Sequence, residues 1–235
     1  MISVDDLRLQ AEKTPEDTLR FKLWIWTVVQ PAYTEWCDAV EEAVAQVGIR
    51  MSAKRAALKE RGEDALSATL AIALNGFGLD AEMMYVNGNC DIVVRHPPYL
   101  WIGEAKIDNS PSWIWKGYLQ LVSRYATGLP NQDRGGMVVY CYNDALDASM
   151  ASWRGALCAQ LGVDPNSLAA WPHSQHAFCS EDVTAATNRP FKMVHQGIAL
   201  HHKPLDAVVK LSKSATLAAK AAKARVRKPA KSSNP

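Results

Sequence analysis

The chain has 235 residues, is 48% hydrophobic and carries a formal net charge of +2. That suffices for one sizeable core with a small appendage, and without an apolar run of about 18 residues no transmembrane helix is expected. Five scattered cysteines (Cys37, Cys90, Cys141, Cys158, Cys179) form no CxxC pair, which argues against a structural zinc or iron–sulfur site.

The chain opens MISVDDLRLQAEKTPEDTL, acidic and polar and unlike a signal peptide. With reduced thiols, this sets the expected location as the cytoplasm. Residues 16–46 show helical spacing of apolar positions, with Pro31 as a break and Gly48 as a stop. A second helix is predicted over 53–75, ending at Asn75-Gly76. Strands follow at about 81–87, 89–95 and 99–106. The stretch NSPSW then supplies an N-cap, and a helix is predicted over about 113–127. GGMVVYCY reads as a buried strand, and Asn143-Asp144 as the cap of a helix over 145–161. Late strands are predicted near 176–180 and over 191–202, the latter with Gly197 as a candidate kink.

This order predicts an α/β fold, a mixed sheet flanked by helices. Residues 1–52 form an N-terminal helical segment packed on the core, 53–203 the main domain, and 204–235 a disordered basic Ala/Lys-rich tail. Eight of the 26 basic residues lie from Lys210 onward, where there is no acid. The rest of the chain therefore holds 18 basic against 24 acidic residues, a balance of −6. Such a tail can hold a polyanion by counterion release, or simply be a solubilising end.

The informative stretch is NGNCDIVVRHPPYLWIGEAKI, residues 87–107. Two strand-like runs carry charge where a buried strand should carry none. If the hairpin is centred between Pro97 and Pro98, paired residues sum to 195. Asp91 then falls opposite Glu104, and Val93 opposite Ile102. Glu104, Lys106 and Asp91 share one face, while Ile92, Val94, Trp101, Gly103 and Ala105 take the other. Two carboxylates about 5 Å apart repel each other, and a divalent cation removes the conflict. Carboxylates with a backbone carbonyl and water suit Mg²⁺ or Mn²⁺, and a lysine beside them can orient a water or stabilise charge on a phosphate. The competing reading is an exposed hairpin face with a Glu–Lys pair.

On the preceding helix, Glu63, Leu66, Leu70 and Leu74 recur on one stripe. Glu63 thus either faces the core as a paired or bound acid, with Glu60 as its fallback, or merely favours the helix N-terminus.

Glu63, Asp91 after a Gly-Asn turn, and Glu104-Ala105-Lys106 in the next strand, followed by a helix and a buried strand, resemble the PD-(D/E)xK, restriction-endonuclease-like, nuclease superfamily over about residues 60–142. Asn89-Cys90-Asp91 stands where the nominal motif has Pro-Asp. The resemblance implies an αβββαβ core and Mg²⁺-dependent cleavage of nucleic-acid phosphodiesters. The metal would be held by Asp91, Glu104, the Ala105 carbonyl and Glu63, with Lys106 catalytic. In the following helix, WIWKGYLQLVSRYATG, Lys116, Gln120 and Arg124 form one polar face and are the expected substrate contacts. Tyr125 lies one residue further from Gln120 than in the Gln-then-Tyr helix of several branches of the superfamily.

Trp113 and Trp115 can stack on bases or pack on the sheet. His173, His176, His201 and His202 show no ligand geometry, His201 and His202 facing opposite ways on a strand. There is no GxxxxGK[ST], GxGxxG or nucleophile elbow. The expected function is a metal-dependent nuclease acting on DNA before RNA, without a membrane partner, as a homodimer or with a partner protein. Phage defence and mobile elements are settings compatible with it. The alternative is a catalytically inactive nuclease-fold subunit that binds nucleic acid or assembles with a protein.

Overall fold

Thr14 starts the first described helix. Its hydroxyl accepts from the Asp17 amide, Pro15 takes the first turn, and Glu16 and Asp17 face the positive end of the dipole. This computed structural model describes residues 13–85 and 89–204, together with 5, 6 and 9. The helices are α1 (Pro15–Ile25), α2 (Tyr33–Ala53), the single turn α3 (Arg55–Leu58), α4 (Glu63–Asn75), α5 (Pro111–Gln120) and α6 (Leu146–Leu161). The strands are β1 (Asp80–Tyr85), β2 (Asn89–His96), β3 (Tyr99–Ile107), β4 (Arg134–Cys141), β5 (Ala177–Val183) and β6 (Pro190–Ala199).

The six strands form one mixed sheet in the order β1-β2-β3-β4-β6-β5. β1, β2 and β3 make an antiparallel meander. β4 lies parallel to both β3 and β6, and β5 closes the far edge antiparallel to β6. The parallel β3–β4 step needs a crossover, which α5 provides.

Helices cover both faces. On one, Leu19 and Leu23 of α1, Trp36 and Val40 of α2, and Leu66, Leu70 and Leu74 of α4 pack on Ile92, Val94, Trp101, Ala105 and Val138. On the other, Ile114 and Tyr118 of α5 and Trp153 and Leu157 of α6 pack on Val93, Ile102, Met137 and Val139. Alternation along β2 and β3 thus feeds two cores. Residues up to His202 form one compact unit, so the N-terminal helices share their core with the sheet. The predicted disordered tail lies outside the described residues from 205 on.

Several local expectations are corrected. Helix α2 runs through Gly48 to Ala53, because Gly48 lets the helix approach β6. A Cβ there would stand 3.1 Å from Ile198 Cγ1. The predicted 53–75 helix breaks at 59–62, and α4 restarts at Glu63 behind Gly62. Asn143 and Asp144 do not cap α6, whose N-cap is Ala145. The Asn143 amide instead donates to Asp108 Oδ2 at 3.0 Å. β6 passes straight through Gly197, and His201 and His202 lie beyond its end.

Candidate functional site

The hairpin register is the one that sums to 195. Ile92 pairs with Gly103, Val93 with Ile102, Val94 with Trp101, Arg95 with Leu100 and His96 with Tyr99. Toward Asp91 the strand departs from simple alternation. Glu82 pairs with Val93 and Met84 with Cys90, so β2 spends one residue more than β1 over this step. Such a bulge re-aims a side chain. The paired residues end at Ile92 and Gly103, so Asp91 does not face Glu104 across a rung as predicted. Its Oδ2 accepts the Ala105 amide at 2.9 Å, taking a hydrogen bond that a backbone carbonyl would otherwise take.

From β3, Glu104 and Lys106 point to the same face, and both are buried. The Lys106 Nζ lies 2.6 Å from Glu104 Oε1, 3.1 Å from the Ala105 carbonyl, 3.6 Å from Glu63 Oε2 and 3.8 Å from Asp91 Oδ2. All the residues expected to serve as metal ligands therefore surround this ammonium. Sequence reasoning placed the lysine beside a cation site, whereas its Nζ occupies the centre. The physical reason is that the three acids held together by the fold attract the one cation within reach.

Glu63 reaches the cluster as the first residue of α4. Its Oε1 accepts the Ile107 amide at 2.9 Å and the Trp113 indole N–H at 2.8 Å, leaving Oε2 for Lys106. Glu63 stands at the helix N-terminus and is paired with Lys106. Glu60 does not join them; it is exposed and pairs with Lys59.

Charge at the cluster is unbalanced. Burial first, and Asp91 second, push the Glu104 carboxyl up to about 7. Burial also raises Asp91, against the Ala105 hydrogen bond and Lys106. Burial alone would lower Lys106, but Glu104, Asp91 and Glu63 together hold it above the usual lysine value. One ammonium does not satisfy three carboxylates, and Glu104 Oε2 is buried with no hydrogen-bond partner.

As the side chains stand, no group of three or more His, Cys, Asp or Glu among the described residues is arranged to hold a metal. The donor set is nonetheless of the right kind. Three carboxylates and a carbonyl are hard oxygen ligands converging on one point, and the orphaned Glu104 oxygen is free to take a cation.

Helix α5 supplies the next layer. Ser110 caps it by accepting the Trp113 amide. Trp113 is partly exposed, donates to Glu63, and carries the Lys116 ammonium 5.0 Å above its ring. Trp115 instead stacks on Tyr118 with ring centroids 5.0 Å apart, so it belongs to the packing. Lys116 and Arg124 are exposed, and Gln120 is half-buried at the end of α5. The predicted 113–127 helix is not uniform: residues Leu121–Tyr125 form a π-helical turn. A π turn absorbs one extra residue. The turn falls within the five-residue step from Gln120 to Tyr125. Tyr125 is buried, and burial, followed by the charge of Glu104, raises its phenol.

No family model, curated protein or solved structure matches this chain. What the site can do rests on its own geometry.

Two buried polar networks escaped the sequence reading. Glu41 of α2 accepts from Trp101 Nε1 at 3.3 Å and pairs with Arg134 at 2.5 Å, and Arg134 also holds Asp38 at 2.7 Å. This clamps α2 to the sheet. His195, fully buried on β6, accepts the Trp153 indole N–H on Nδ1. Its Nε2 therefore carries the proton and donates to Ser180 Oγ at 2.7 Å. Neither network has a local sequence signal, since each joins elements far apart in the chain.

Proposed function

We propose that this protein is a metal-dependent nuclease of the PD-(D/E)xK type, hydrolysing phosphodiester bonds in the cytoplasm, with DNA preferred to RNA. The observation that carries the reading is the convergence of Glu63, Asp91, Glu104, the Ala105 carbonyl and Lys106 from three segments onto one point. The order α4, β1–β2–β3, α5, β4 supports it, since it matches the αβββαβ core that the motif implies.

Asp91, Glu104, the Ala105 carbonyl and Glu63 would hold Mg²⁺ or Mn²⁺, which supplies charge neutralisation at the phosphate and a more acidic water. Ile107 and Trp113 fix Glu63 by two hydrogen bonds to one oxygen, and the Ala105 amide fixes Asp91. The acids are therefore oriented before substrate arrives. Lys106 orients the attacking water and offsets charge developing on the phosphate. Lys116 and Gln120 of α5 and Arg124 of the turn after it are the residues that would meet the nucleic-acid backbone. No helix among the described residues is long and apolar enough to cross a membrane.

The second reading is a nuclease-fold subunit without catalysis, binding nucleic acid or a protein partner. It is favoured by one observation: Lys106 already occupies the centre of the acids. Cleavage by the wild type beside Asp91→Ala separates the two. Metal-dependent cutting lost in the variant supports the nuclease, and no cutting under any condition supports the subunit.

A further inference from the structure

Lys106 is seated with care. Its aliphatic stem runs over Gly117 of α5, where a Cβ would fall 2.8 Å from Lys106 Cγ and 2.9 Å from Cε. Only a glycine at this turn of α5 leaves room for the stem. The ammonium at its end has two hydrogen bonds, to Glu104 Oε1 and the Ala105 carbonyl, and two further carboxylates within 4 Å. It is buried along with Glu104. Yet the same acid leaves its other oxygen buried and unpartnered. The pocket of oxygens thus has more acceptors than the lysine can use.

Resting on the nuclease reading, we infer that Lys106 is the resident cation of this site and competes with the divalent metal for it. The carbonyl and carboxylate oxygens around Nζ are the same atoms a metal would use. Two cations cannot share that centre, because a second charge at contact distance is repelled strongly in a buried site. A metal held by these oxygens would require the ammonium to leave the centre, while the stem stays packed on Gly117. In the metal-free protein the lysine keeps the acids from repelling one another. In the loaded protein the displaced ammonium stands beside the metal, where a lysine that acts on water or phosphate has to be.

The competition has a readout independent of cleavage. Mn²⁺ binding to the full-length protein is measured by calorimetry for the wild type and for Lys106→Met, which keeps the stem's bulk and removes the charge. The expected result is that Lys106→Met binds Mn²⁺ about tenfold more tightly or better, since the metal no longer displaces a competing charge. Equal or weaker binding by a folded Lys106→Met overturns the inference while the nuclease reading stands. No Mn²⁺ binding by either protein overturns both. If Lys106→Met does not fold without metal, acylation of Lys106 in the wild type decides instead, read by mass spectrometry of the peptide. Acylation that rises when Mn²⁺ is added supports displacement, and acylation that stays unchanged overturns it.

Discussion

Lys106 Nζ and Glu104 Oε1 lie 2.6 Å apart on the same face of β3, both side chains buried, with Asp91 and Glu63 within 4 Å of the same nitrogen. The pair is the hub of the site. Glu104, raised by burial and then by Asp91 to about 7, has a folded value above its unfolded 4.5. The native state therefore binds more protons between those values, and stability from this group is present below 4.5 and lost as pH rises through 7. A metal ligand must be ionised, so Mn²⁺ affinity should rise between about pH 6 and about pH 8, with proton release on binding. Calorimetry in buffers of different ionisation heat reads both. A pH-independent affinity would contradict the placement of Glu104 in the metal shell.

Gly117 makes a sharper case. In a helix interior Gly→Ala ordinarily gains about 1 kcal/mol from propensity. Here a Cβ would collide with Lys106 and with Met137 Cε at 2.8 Å. Gly117→Ala should instead lose about 1–3 kcal/mol, the range for overpacking, in urea unfolding. Cleavage should fall further than the unfolded fraction explains, because the lysine is moved.

How much of this was legible in the sequence follows the range of the interactions. The prolines at 97 and 98 fixed the hairpin centre, and with it the register and the pairing of two apolar faces. Leu66, Leu70 and Leu74 oriented α4 and brought Glu63 to the sheet. The bulge between Cys90 and Val93 was not legible, since that stretch carries no glycine or proline to mark it. The position of Lys106 at the centre depends on three acids from separate segments converging on one ammonium, which no spacing rule encodes. Gly48 reads as a helix stop because the partner that needs its bareness, Ile198, lies far away in sequence.

Trp113 connects α5 to the acids through a single hydrogen bond. Trp113→Phe keeps a ring for Lys116 and removes the N–H that holds Glu63 Oε1. Ile107 still holds that oxygen. The variant should fold with a loss within about 1 kcal/mol, as for one partly exposed hydrogen bond. Its kcat should drop about tenfold, the lower range for loss of a residue that orients a metal ligand, with KM little changed. Steady-state kinetics on a labelled oligonucleotide would check the split.

His195 should oppose Glu104 in its effect on stability. Burial lowers its imidazole from 6.5 to about 3. The unfolded chain then binds a proton that the native state refuses, so stability from this group is complete above 6.5 and lost as pH falls toward 3. The stability advantage of wild type over His195→Gln should therefore shrink on acidification through that window, measured by urea midpoints. By NMR, the His195 ring should stay neutral at pH 5. A ring that titrates near 6.5 would mean that the Trp153–His195–Ser180 chain is open to water.

The most direct test of the account is a cleavage assay with purified full-length protein. Supercoiled plasmid, linear duplex, single-stranded DNA and RNA are each incubated with Mg²⁺, Mn²⁺ or EDTA, beside Asp91→Ala and Lys106→Ala. The account predicts cutting of DNA that requires the divalent metal and disappears in both variants. Cutting that survives in both variants, or in EDTA, would contradict it.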